Sequence, residues 1–169
     1  LLTFAQANGT VSNCEFINCS KRAIYFEGNG TVLKSKFNDF TSLSSGGAIY
    51  FAENGIISDS NFNHIKTLGK NGGAMYIVQN ATIINCNFVD CSALSGGSIF
   101  QYNPSGLVNV SKSRFDGCNA YAAGGAISVE GTLIIDDCEF NNNTADNCAG
   151  FIANNGLKLT KSNFTTNNA

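Results

Sequence analysis

Seven cysteines and a single histidine are the residues of this 169-residue chain best suited to redox or metal chemistry. Cys14/Cys19 and Cys86/Cys91 each follow a C-x-x-x-x-C spacing, and no C-x-x-C pair accompanies them. Structural zinc sites draw four ligands from closely spaced Cys and His pairs. With His64 standing alone in the sequence, the pattern gives no expectation of a zinc site. An odd cysteine count leaves at least one thiol unpaired. For polysaccharide chemistry, a hydrolase needs two carboxylates set across a groove, and a lyase needs a base beside a carboxylate-bound cation. The main charged cluster is Lys112, Arg114, Asp137 and Glu139. Its alternating signs read as a ladder of ion pairs, so no catalytic residue is assigned. Asn-x-Ser/Thr triplets occur at Asn8, Asn18, Asn29, Asn80, Asn109, Asn142 and Asn163. Of these, Asn29 and Asn80 fall in turns, where a glycan is tolerated.

The remaining composition is that of a polar surface built without charge. Charged residues make up 13% of the chain, against about 25% in ordinary domains, and polar positions are filled by 24 asparagines and by hydroxyls. A formal net charge of -2 gives no footprint for nucleic acid or for an anionic membrane surface. No apolar run approaches the ~20 residues of a membrane span.

What must position these side chains is a repeat of about 25 residues. Phe16, Phe37, Phe62, Phe88, Phe115, Phe140 and Phe164 mark it, at spacings of 21, 25, 26, 27, 25 and 24. Five positions before each stands an aliphatic: Val11, Val32, Ile57, Ile83, Val110, Ile135 or Leu159. Two positions before each stands only Cys or Ser. In an unbroken strand these two positions would face opposite ways, so a bend between them must turn both inward. A third segment, "GGAI" and its variants, sends Ile24, Ile49, Met75, Ile99, Ile127 and Ile152 inward. Its glycines suit a tight turn with φ > 0 and close backbone approach. No segment carries a 3.6-residue apolar stripe. The expected fold is an all-β, right-handed parallel β-helix spanning 1–169 as one domain, with three short strands per coil and about six and a half coils. The first coil is irregular, with Lys21 and Arg22 in place of the glycine pair.

Stacking then decides which side chains meet. The outward columns place Glu15 by Lys36, Lys34 by Asp59, Lys112 by Asp137 and Arg114 by Glu139, each exposed pair contributing ~0.2–1 kcal/mol. Asn85 over Asp59 and Asn87 over Asn61 suit amide ladders. Six of the seven cysteines fall in inward columns, where Cys behaves as a small hydrophobe. Cys91 and Cys118 share one slot in adjacent coils and could form a cross-coil disulfide. Tyr25, Tyr50, Tyr76 and Phe100, followed by Ser128 and Ala153, form an outward column. Its four aromatics are a self-stabilising ladder or a docking stripe for a protein or glycan partner.

The alternation of "GGAI", intact at 46–49 and 124–127, with "F-x-x-N", intact at Phe140–Asn143 and Phe164–Asn167, resembles the repeats of chlamydial polymorphic outer-membrane proteins. Related adhesin-like β-helix proteins carry similar repeats. The slot of the motif's Asn holds Cys19, Phe40, Ile65, Cys91 and Cys118 in the other coils. The resemblance implies a cell-surface or secreted segment with an adhesive role and no cofactor. A glycan-active β-helix enzyme and a passive spacer are the competing expectations. Neither end shows a cap over its strand edges, so the segment is expected to continue into further coils or to self-assemble end to end.

Overall fold

The computed structural model describes residues 1–5 and 7–169. The chain winds as a parallel β-helix with a coil spacing of about 25 residues, and no helix occurs among the described residues. Two of its three sheets have seven strands, and the third has ten because the strands on that face split in two in several coils. One coil shows the plan: Gly55–Ser58 lies on the second sheet, Asn61–Thr67 on the third and Met75–Ile77 on the first. Pairing is parallel and in register, with Met75 opposite both Ile49 and Ile99.

The bend required between the aliphatic and the Cys/Ser columns exists, and it is a left-handed residue. Asn13, Lys34, Asp59, Asn85, Lys112, Asp137 and Lys161 have φ between 48° and 56°. Asn and Asp tolerate that region, whereas lysine does so only where the surroundings impose it. A second left-handed corner follows each Phe by two residues, at Asn18, Asp39, His64, Asp90, Gly117, Asn142 and Thr166. The glycine pairs divide their labour. Gly46, Gly72, Gly96 and Gly124 take φ of 63–68°, while a Cβ on Gly47, Gly73, Gly97 or Gly125 would run into a carbonyl oxygen of the next coil.

The restriction to Cys or Ser has a hydrogen-bond cause. Ser60 Oγ donates to Ser58 O at 2.8 Å, across the left-handed corner, and accepts from Ser35 N of the preceding coil at 3.1 Å. Ser113 repeats this with Ser111 O and Cys86 N. Cys86 and Cys138 make the corner bond through sulfur, each at 3.3 Å. A small donor is thus needed at a buried site where backbone groups would otherwise go unpaired. Asn143 does likewise in its slot, accepting from Cys118 N at 2.9 Å and donating to Phe115 O at 3.1 Å and Asn167 Oδ1 at 2.9 Å.

The inner phenylalanine ladder is continuous from Phe16 to Phe164, with ring centroids 4.8–5.0 Å apart. It is buried from Phe37 to Phe140 and opens to solvent at the last coil, where Leu157, Leu159 and Phe164 are exposed. A second ladder is not evident from the sequence. Phe4, Phe26 and Phe51 stack at 4.8 and 5.1 Å above Gly9, Gly30 and Gly55. Where Ile77, Gln101 and Val129 replace the rings, Ala81, Val108 and Leu133 replace the glycines, so side-chain bulk enters one column as the rings leave the other.

Two expected placements are corrected. Ile152 is not in the inward column: Phe151 pairs with Ile127, Ile152 pairs with Ser128 in the outward one, and Ala153, expected in the outward column, pairs with Val129 and packs against the core. The repeat of the last turn is therefore Cys148-Ala149-Gly150-Phe151, with Cys148 taking the left-handed φ of 56° that Gly124 holds one coil earlier. Cys14 also departs from expectation and is exposed, on the first of the described coils.

Candidate interaction surfaces

The outward aromatic column lies on the first sheet. Its rings stack face to face, Tyr25 on Tyr50 at 5.2 Å, Tyr50 on Tyr76 at 5.1 Å and Tyr76 on Phe100 at 5.3 Å. The tyrosines are half-buried, but Phe100 is only 6% exposed and so does not belong to a free stripe. It packs against the Gly72 turn, where an added Cβ would come within 3.3 Å of its own. Arg22, from the irregular first coil, closes the other end. Its guanidinium lies 4.6 Å from the Tyr50 ring centroid and 5.5 Å from that of Tyr25, and its Nη2 donates to Ser45 O at 2.9 Å. Lys21-Arg22 in place of glycines is thereby explained as a cation seated on the stripe. Burial, with Tyr50 and Tyr102 nearby, pushes the Tyr76 hydroxyl up to about 12, and burial also raises Tyr50.

At the corner between the second and third sheets runs a polar cleft of about 360 Å³, with side chains from three consecutive coils. Asn85 Nδ2 donates to Asp59 Oδ1 at 2.7 Å, as the register suggested, and this bond above all holds the Asp59 carboxyl below its ordinary value. The matching bond between Asn61 and Asn87 is not made, and Asn87 Oδ1 is shielded from solvent without a partner. Arg114 stands opposite Glu139 as expected, at 4.0 Å, but its closer partner is Asp116 on its own strand at 2.7 Å. Arg114 is thus paired laterally as well as between coils, whereas the expected pair of Lys112 with Asp137 is not formed.

His64, alone in the sequence, is not alone in space. Its left-handed corner stacks it between Asp39 and Asp90, with Nδ1 3.2 Å from one carboxylate and Nε2 3.5 Å from the other. Each ring nitrogen faces a different residue, so the three do not converge on one ligand position, and no metal-binding group occurs among the described residues. The signal for this trio was the two-residue offset from each Phe.

The structure places Cys91 and Cys118 in the same inward slot of adjacent coils as free thiols, both fully buried, and Ser98 Oγ donates to Cys118 Sγ at 2.9 Å. Burial, and then the Cys118 thiol beside it, pushes the Cys91 thiol well above its ordinary value. The remaining cysteines are also free, and Cys148 is exposed. Asn29 and Asn80 belong to an exposed amide ladder that also includes Asn54. Asn80 Nδ2 donates to Asn54 Oδ1, and Asn54 Nδ2 donates to Asn29 Oδ1, both at 2.8 Å. A glycan on Asn80 would compete with its ladder bond, whereas Asn29 engages through its oxygen.

Fold and surface together define a β-solenoid repeat protein whose outer columns are formed by stacked side chains. Comparison with protein-family models, with curated proteins and with solved structures finds no match to this chain.

Proposed function

We propose that this chain is a non-enzymatic structural and adhesive segment of an extracellular or cell-surface protein, of the polymorphic outer-membrane-protein-like repeat class that its GGAI and F-x-x-N motifs resemble. Its partner is a protein or a glycan surface, met along the tyrosine column, which also suits lateral contact in a filament. The observation that carries this reading is the Tyr25–Tyr50–Tyr76 stack with Arg22 seated on it. Aromatic faces with a guanidinium are the chemistry of interface anchors, and here they form a half-exposed strip on a rigid sheet. Arg114 and Asp59 at the opposite corner support the same reading, since Arg114 is taken up by Asp116 and Glu139 and Asp59 by Asn85.

The test is adhesion of the labelled protein to arrayed extracellular proteins and glycans, beside a Tyr50→Ser/Tyr76→Ser variant whose circular dichroism matches wild type. Saturable binding by wild type and at least a tenfold loss in the variant support the proposal. Depolymerisation of any arrayed glycan, abolished by Arg114→Ala, would replace it with the enzymatic reading.

A further inference from the structure

We propose that the corner between the third and first sheets is a self-association surface, on which a second copy of this chain docks antiparallel. The surface is separate from the tyrosine column and does not rest on it. Ser42, Thr67, Ala93 and Ala120 form one buried column at the end of the third sheet. The next residue in each of these four consecutive coils turns outward, and it is Leu43, Leu68, Leu94 or Tyr121. They are 73%, 43%, 41% and 59% exposed, an apolar stripe in a surface otherwise made of amides and hydroxyls.

The charges at the ends of the stripe identify the occupant. Lys21, one coil before Leu43, lines the same cleft as that leucine. Asp146, one coil after Tyr121, follows the partner of Ala120 and lines a cleft with the tyrosine. Both are exposed, and neither enters an ion pair among the described residues. The midpoint of the stripe falls between Leu68 and Leu94, and Lys21 and Asp146 lie the same number of coils from it. A two-fold axis through that midpoint, at right angles to the rod, sets Leu68 against Leu94, Leu43 against Tyr121 and Lys21 against Asp146 of the second copy. Each contact is then made twice. A parallel pairing would set Lys21 on Lys21 and Asp146 on Asp146. A second copy also advances in the same ~4.8 Å steps, so every side chain of the stripe meets one. The other charges of this corner accept the register. Lys66 and His64 come opposite the coil of the second copy that carries Asp90. Arg22 is held by Ser45 O and the Tyr50 ring, and Lys70 meets Ser95 of the second copy and stays solvated. Four side chains about half exposed present on the order of 400 Å². That is less than the ~800 Å² each partner buries in a standard interface, so the association is reversible.

Sedimentation velocity on the purified protein, over a series from micromolar to millimolar concentration at low salt, is the test. The expected result is a monomer–dimer equilibrium that Leu68→Ser/Leu94→Ser weakens at least tenfold. Lys21→Asp and Asp146→Lys should each weaken it at least threefold. The double variant Lys21→Asp/Asp146→Lys, or an equimolar mixture of the two single variants, should restore it, a recovery that only the antiparallel register produces. A protein monomeric throughout the series overturns the proposal, including one whose stripe takes up lipid vesicles instead. A dimer that the leucine substitutions leave unchanged, or one that the charge exchange does not restore, overturns it as well. If Leu68→Ser/Leu94→Ser fails to fold, the charge exchange decides. Tyr50→Ser/Tyr76→Ser should leave the dimer intact, so this surface and the adhesive column fail separately; a dimer lost in that variant would place the contact on the tyrosines and overturn the proposal.

Discussion

Replacing Phe88 with alanine tests the inner ladder at its middle. Phe88 is fully buried, with Phe62 on one side at 4.9 Å and Phe115 on the other at 4.8 Å. Truncating a buried Phe costs ~3–5 kcal/mol from lost transfer and the cavity left behind. The neighbouring rings cannot collapse into the hole, because Phe62 and Phe115 are each pinned to Phe88 by strand register on both flanks. The loss should therefore fall in the upper range of those values, about 4–5 kcal/mol. Phe164 supplies the internal comparison. It is 43% exposed, stacks on one side only at 5.0 Å, and touches Phe151 at 5.8 Å, so Phe164→Ala should cost only ~1–2 kcal/mol. Urea denaturation followed by circular dichroism measures both. Equal losses from the two substitutions would refute the claim that a ring's contribution is set by enclosure within the stack.

Gly30→Ala should destabilise by ~1–3 kcal/mol, since its Cβ would meet the Phe26 ring at 2.5 Å and the Phe51 ring at 2.6 Å, and adding Phe26→Leu should recover some of the loss in thermal melts. Tyr76 should keep its proton to about 12 in the folded state, against ~10 when unfolded. Its folded pKa is raised, so the associated stability is intact below pH ~10 and falls as pH rises toward about 12. Tyr76→Phe should flatten that fall in alkaline unfolding curves, and an unchanged slope would contradict the burial described. Iodoacetamide should label exposed Cys14 and Cys148 in the native protein, and Cys86, Cys91, Cys118 and Cys138 only after unfolding, as read by mass spectrometry. Native labelling of Cys91 would place it outside the core.

The coil was legible because the Phe and aliphatic columns repeat at nearly constant spacing and their parity demanded a bend. That bend is the left-handed corner at Lys34, Asp59 and their equivalents. The Cys/Ser column was legible as a rule but not as a mechanism, since its bonds from Ser35 N to Ser60 Oγ join residues 25 apart. The last turn is offset by one residue from its expected reading because Cys148 does a glycine's work, and nothing local marks a cysteine in a left-handed conformation. The exchange of Phe51–Gly55 for Ile77–Ala81 escapes sequence reading for another reason: each column alone looks irregular, and the compensation shows only when the two are read together. The surface was less legible still. Stacking predicted Arg114 beside Glu139, but the nearer Asp116 follows from rotamer choice within one strand. His64 finds its aspartates only through the second corner.

The backbone hydrogen bonds between coils all point along the rod, Ser58 O taking Lys34 N and Ile84 O taking Asp59 N, one turn after another. Tension applied to the two termini acts on these bonds in line, so they break turn by turn and never as a whole sheet in shear. Each turn of about 25 residues occupies only ~4.8 Å of rod, yet releases ~80–90 Å of extended chain. The molecule is in that sense a spool: it lengthens in uniform increments at a nearly constant force. Every unwound turn leaves an intact neighbour on which it can rewind.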